Sequence, residues 1–274
     1  MFLQTTDPAT NLASELCCIA TQRDQREHIF MRHRIFLAGA TGAIGQRLIR
    51  LLRAAGHHVT GTTRFEAKAP TLRALGAEPV MVDVFDADAL KQAVLSAKPD
   101  IVIHQLTDLP PGLDPAKMAD AIGRNARIRE EGTHNLIDAS IAAGARRLIA
   151  QSIAWMYAPG PQPHREGDPL DRAADGPRGI TLAGVISLET QTLQSPPLEG
   201  IVLRYGQLYG PGTGSETPRG QAPLHVDAAA HAALLAIDRG TPGFYNIAEP
   251  NDLIATGKAR HDLGFDASFR LPNG

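Results

Sequence analysis

From Arg32 onward, short runs of β-branched and aliphatic residues alternate with segments whose apolar positions recur at helical spacing. That alternation of periods predicts βαβ units built around a parallel sheet. Arg34-Ile35-Phe36-Leu37-Ala38 reads as the first strand. The following helix carries Ile44, Leu48, Leu51, Leu52 and Ala55 on one face and stops at Gly56. His58–Arg64 is a second strand, and Pro70 opens a short helix, with Leu72 and Leu75, that closes at Gly76. Pro79–Val82 is a third strand; Asp86 then caps a helix showing Leu90, Ala93, Val94 and Ala97. Asp100–Gln105 is a fourth strand, apolar at its centre, as a strand covered on both faces should be.

A long helix from about Pro115 to Gly144 aligns Ile122, Ala126, Thr133, Ile137 and Ile141, and Arg147–Ser152 is a fifth strand. Pro159–Gly179, rich in Pro, Gly, Asp and Arg, predicts a long loop at a functional edge. A helix over Leu182–Leu193 ends at Pro196-Pro197; then come a strand at Gly200–Tyr205, an alanine-rich helix at Val226–Ile237 and a strand at Phe244–Ile247.

Composition narrows the function classes. Apolar residues make up 43% and charged residues 20% of the 274, and the formal net charge is -2. Such a chain offers no bulk field for nucleic acid or an anionic membrane. Aromatic residues at 5% are too sparse for base-stacking platforms, and no apolar run is long enough to cross a bilayer. The two cysteines, Cys17 and Cys18, are neighbours, which suits neither a disulfide nor an oxidising compartment. A cytoplasmic location is expected. Met1–Phe30 lacks a sustained apolar face and reads as a disordered extension or an over-long start, leaving residues 32–274 as the folded domain.

The chemistry concentrates at Gly39-Ala40-Thr41-Gly42-Ala43-Ile44-Gly45, between the first strand and the first helix. The first glycine permits the tight turn, the second lets backbone approach a pyrophosphate, and the third lets helix and sheet pack closely. The helix mouth adds unpaired N–H groups and a positive dipole end. Its place in the first βαβ unit makes the turn a dinucleotide site. An NAD site usually carries an acid at the end of the second strand, but this chain has Thr62-Thr63-Arg64. Arg64 can fork onto a 2′-phosphate, which favours NADP(H) over NAD(H). Asp83, with Val84 beside it, is placed to meet the adenine amino group; closing the local turn is its other reading.

The glycine turn resembles that of the short-chain dehydrogenase/reductase superfamily, in its extended and atypical branches. Leu203-Arg204-Tyr205-Gly206, Tyr209-Gly210-Pro211-Gly212, His225-Val226-Asp227 and Lys258-Ala259-Arg260 are similar to segments of its NAD-dependent epimerase/dehydratase group. The resemblance implies a seven-strand doubly wound sheet, a Rossmann fold, with a small C-terminal part holding substrate over its carboxyl edge. It implies that Gly39, Thr41, Gly42, Ala43, Ile44 and Gly45 line the pyrophosphate. Gln105, Leu106 and Thr107 would flank the ribose and nicotinamide, with Tyr205 on the nicotinamide side. Ser152 falls near the catalytic serine or threonine of the group, in a register set to within one residue by Tyr157.

One departure stands out. The group uses a tyrosine as proton donor with a lysine four residues later, but no Tyr-x-x-x-Lys occurs and no lysine lies between Lys117 and Lys258. Tyr157, with Arg165 or Arg172 near it, and Glu189 are the substitute candidates; a packed tyrosine and a solvated helix acid are the competing readings. His57-His58 reads as an exposed turn, His104 as a satisfied core histidine, and His225-Val226-Asp227 as a helix start; no metal site is expected. Three functions stay open. They are an NADP-dependent oxidoreductase acting on a small carbonyl, alcohol or sugar-derived substrate, a non-catalytic NADP sensor, and an NAD-retaining epimerase or dehydratase. A small-molecule substrate is the expected partner, and a homodimer is left open.

Overall fold

The computed structural model describes residues 32–272; the terminal extension and both cysteines lie outside the described residues. The strands are β1 (Arg34–Ala38), β2 (His58–Thr63), β3 (Glu78–Met81), β4 (Ile101–His104), β5 (Arg147–Ile153), β6 (Glu199–Tyr205), β7 (Gln207–Tyr209), β8 (Pro223–His225) and β9 (Gly243–Ile247). The helices are α1 (Ala43–Ala54), α2 (Ala69–Ala74), α3 (Ala87–Ala97), α4 (Pro115–Arg127), α5 (Thr133–Ala142), α6 (Gly176–Leu193), α7 (Val226–Leu235) and α8 (Gly257–Asp262). Seven strands form one sheet in the order β3-β2-β1-β4-β5-β6-β9, and every adjacent pair is parallel. The order reverses between β1 and β4, which opens a crevice beyond their carboxyl ends.

Strand parity sorts the core into two layers. Ile35, Leu37, Ile103, Ile149 and Leu203 face α1 and the alanine-rich α7. Phe36, Ala38, Val102 and Leu148 face the opposite way, against Leu90 and Val94 of α3 and Leu136 and Ile137 of α5. Asp86 caps α3 as expected, accepting from the Ala89 amide at 3.0 Å. His225 caps α7 through its ring nitrogen, which takes the Asp227 amide at 3.2 Å. Asp227 in turn pairs with Arg47 of α1 at 2.7 Å, tying the two helices together.

Several elements differ from expectation. The long helix of residues 115–144 is broken by a π turn at Ile128–Gly132. The extra residue rotates the buried stripe, so Leu136, Ile137 and Ser140 are inside while Ile141 is exposed. α6 starts at Gly176, six residues ahead of Leu182, with Pro177 in its first turn, where the missing N–H has no helical partner to lose. The parallel pair β7–β8 and the short α8 follow β6 where no strong period announces them. His57 is also not exposed: its Nδ1 accepts the His33 amide at 3.2 Å and its ring stacks on His33.

Candidate active site

At the end of β1 the backbone turns through Gly39, whose φ of 88° is left-handed, and a side chain there would strike the Gln105 carbonyl. The Gly42 amide bonds the Gly39 carbonyl at 3.1 Å, and α1 begins one residue later. No side chain caps α1 and no acid stands in its first turn. Gln46 donates back to the Gly42 carbonyl at 3.1 Å, so the amides of Ala43, Ile44 and Gly45 precede the regular helical bonds. An uncapped, unneutralised helix mouth of this kind suits a diphosphate.

From this turn a cleft of about 1610 Å³ runs across the carboxyl ends of the strands. A single small ligand fills roughly 300–1,000 Å³, so the cleft has room for a dinucleotide and a substrate together. Every expected cofactor contact lines it except one. Asp83 is exposed and does not line the cleft; its carboxylate accepts the Phe85 amide at 3.0 Å and closes the local turn, while Val84 does line the wall. Arg64 and Lys68 bring two cations to one end of the cleft. The Arg64 guanidinium stands 3.6 Å from Asp108, a carboxylate it shares with Arg124. The Gln105 side-chain carbonyl, in the cleft wall, is buried without a hydrogen-bond partner among the described residues. That orphaned acceptor in the cleft wall fits a donor on a bound nucleotide.

Beneath the inner end lies a buried polar cluster that sequence reasoning saw only in parts. Ser152, 2% exposed, donates to Glu189 Oε1 at 2.7 Å. Glu189 is not solvated: it is 3% exposed and receives a two-pronged bond from Arg204, at 2.8 and 2.7 Å. Burial opposes the Arg204 charge, but Glu189 outweighs it and holds the guanidinium above its ordinary value. Tyr157 is the packed tyrosine of the competing reading. It does not line the main cleft, its hydroxyl donates to Asn246 at 2.7 Å and accepts from Arg204 at 3.0 Å, and its ring stacks on His164. Burial raises the pKa of its phenol despite Arg204; the cation at its hydroxyl is therefore Arg204, not Arg165 or Arg172. Ser152 and Tyr157 thus meet through this cluster rather than in open space.

Tyr205 is the tyrosine of the cleft wall, but its hydroxyl donates inward to the Ala229 carbonyl at 3.2 Å, and burial drives its pKa up. His104 is a satisfied core histidine: its Nδ1 takes the Leu106 amide at 3.2 Å, which leaves Nε2–H to donate to Thr133 at 3.1 Å. Burial, reinforced by Arg129, lowers its pKa to about 4. Arg129 itself was not singled out from the sequence. It lines the cleft from the π turn, and the spacing of Met118, Ile122, Asn125 and Arg129 along one helix face was the available signal. Lys68, at the Arg64 end, is the cleft's lysine; the inner end has none.

A doubly wound parallel sheet with a glycine-rich turn at its switch point defines a Rossmann-type α/β protein. A profile of the NAD dependent epimerase/dehydratase family matches residues 35–263, and the chain belongs to that family. It is 39% identical over 237 residues to a 3-diazoavenalumate denitrifying reductase of a Streptomyces species, covering 79% of this chain and 76% of that one. Among solved structures it is similar to UDP-glucose 4-epimerase of Thermotoga maritima, with TM-score 0.68 and 19% identity, covering 86% of this chain and 94% of the other. It is similar too to UDP-glucuronic acid 4-epimerase from Bacillus cereus in complex with NAD, with TM-score 0.66 and 17% identity over the same shares. At these identities the solved structures speak for the fold.

Proposed function

We propose that this chain binds NADPH and directs its hydride to a small, electron-poor organic molecule, without a tyrosine–lysine pair to supply a proton. The observation that carries the reading is the inner end of the cleft. No lysine lines it, and the hydroxyls of Ser152 and Tyr205 are committed to Glu189 and to the Ala229 carbonyl. The bound dinucleotide supplies one hydride, an electron pair with its hydrogen. The α1 amides and Gly42 hold its diphosphate, Gln105 receives a donor near the ribose, and Arg64 with Lys68 favours a 2′-phosphate.

A plain carbonyl accepting hydride builds alkoxide charge that needs a positioned acid. An acceptor that is already cationic does not: an aryl diazonium ion that takes the hydride becomes the arene and releases dinitrogen, leaving NADP⁺ and needing no proton. The Streptomyces relative is by name a reductase of a diazo compound, and a reaction of that class fits a site without a phenol donor. Ser152 serves here by fixing Glu189.

The test is anaerobic NADPH oxidation with an aryl diazonium salt, read against an enzyme-free control and against cyclohexanone. Enzyme-dependent oxidation is expected with the diazonium salt and not with the ketone. Ser152→Ala should retain the rate within about tenfold, short of the roughly 10²-fold loss of a true proton carrier. Turnover of the ketone with a bell-shaped pH profile would sink the proposal. The absent pair also favours a second reading, a non-catalytic NADP sensor; tight NADPH binding with no consumption across the acceptors would select it.

A further inference from the structure

Three ionised groups are buried at the inner end of the cleft: Arg129, Glu189 and Arg204, exposed by 8%, 3% and 3%. Glu189 is fully engaged by Arg204 and Ser152. His104, beside Arg129, is neutral because burial lowers its pKa to about 4. Two cations and one anion leave one positive charge over. That charge sits on Arg129, whose guanidinium makes no hydrogen bond and no ion pair with any described residue while lining the cleft. Burial lowers its pKa to about 10, with Glu189 opposing, so it stays protonated near neutrality. A mostly buried guanidinium whose nitrogens open only onto the cleft is a ready partner for an anion that enters it.

Arg129 and the diphosphate site belong to different layers of the fold. The glycine turn feeds α1, in the layer of α7, whereas Arg129 follows α4 in the opposite layer, where α4 packs on α6. Met118 and Ile122, on the helix face that leads to Arg129, also line the cleft and give that face an apolar stretch.

Resting on the NADPH-dependent reading of the same cleft, we infer that Arg129 anchors the carboxylate of the substrate, an organic acid whose apolar body lies along Met118 and Ile122. The guanidinium fork matches a carboxylate in two parallel bonds. Arg129 continues the cleft-facing stripe of Met118, Ile122 and Asn125 at the start of the π turn, so its guanidinium faces the same cleft.

The test is calorimetry of cinnamate and of its neutral isostere cinnamamide, each titrated into wild type, Arg129→Met and Arg129→Lys, with NADP⁺ bound and without nucleotide. Cinnamate should bind wild type about tenfold or more tightly than cinnamamide, as a charge-assisted pair requires. Arg129→Met should abolish the preference, Arg129→Lys should keep part of it, and NADPH affinity should stay within about twofold in both. Should Arg129→Met fail to fold, Arg129→Gln takes its place. A preference that is absent in wild type, or that survives Arg129→Met, overturns the inference. An equal loss of NADPH affinity also overturns it, since Arg129 would then serve the nucleotide. If no nucleotide binds wild type while the acid preference holds without it, the reductase reading fails and the anion site stands.

Discussion

Gly42 and Gly45 differ in what a methyl group would meet. At Gly45 it would strike the Gly39 carbonyl and lie 2.7 Å from the Ala40 carbonyl; at Gly42 it meets only the Gly39 carbonyl at 3.4 Å, an ordinary contact. Gly45→Ala should therefore cost about 1–3 kcal/mol of stability by overpacking. Gly42→Ala should fold within about 1 kcal/mol of wild type yet bind dinucleotide about tenfold or more weakly, because its methyl stands where the diphosphate approaches. Denaturant midpoints and NADPH titration separate the two effects. His104 gives a second residue-scale outcome. Its folded pKa of about 4 lies below the ordinary 6.5, so the unfolded chain takes up this proton first as pH falls. Stability is fully present above the unfolded value and is lost between there and about 4. The protein should be less stable by about 2 kcal/mol at pH ~5 than at pH ~7 from this group. In urea melts, His104→Asn should flatten that slope; an unchanged slope would contradict the assignment. The glycine turn was legible in sequence because its chemistry is local. Arg129 was only half legible: its helix face showed in the spacing, but its burial depends on neighbours from distant parts of the chain.

At the scale of elements, α6 and β6 are joined by the Glu189–Arg204 pair. Glu189→Gln leaves a buried guanidinium uncompensated and should cost about 3–5 kcal/mol, whereas Glu189→Leu with Arg204→Met should recover much of that. A double-mutant cycle in urea checks it; additive single losses would show that the pair is not coupled. Strands and their helices were readable because period two and period 3.6 differ plainly over β1, α1 and α3. The start of α6 was obscured because Gly176 and Pro177 are loop formers by composition and helix starters by position. The slip at Ile128–Gly132 has no signature in hydrophobic spacing, and it misassigned Ile141 to the core. Glu189 looked like a surface acid for a similar reason: its partner Arg204 belongs to a strand that the helix reaches only in the fold.

For the whole molecule, the parallel sheet follows from the strand–helix alternation, and its switch point fixes where a ligand can lie. The profile match over residues 35–263 agrees with that reading, while the cleft's inner end departs from the tyrosine–lysine chemistry that the resemblance implies. What the sequence could not convey was which polar groups the fold consumes internally. Ser152, Tyr157 and Tyr205 all carry hydroxyls near the inner wall, and each is bonded to another part of the protein. The proposed function needs a dinucleotide at the mouth of α1, and the proposed NADPH preference needs Arg64 at its 2′-phosphate. Calorimetry of wild type, Gly42→Ala and Arg64→Ala with NADPH and NADH tests both most directly. The expected result is one site per chain, NADPH preferred over NADH by about tenfold in wild type, the preference lost in Arg64→Ala, and both nucleotides weakened in Gly42→Ala. Well-folded wild-type protein that releases no heat with either nucleotide would contradict both.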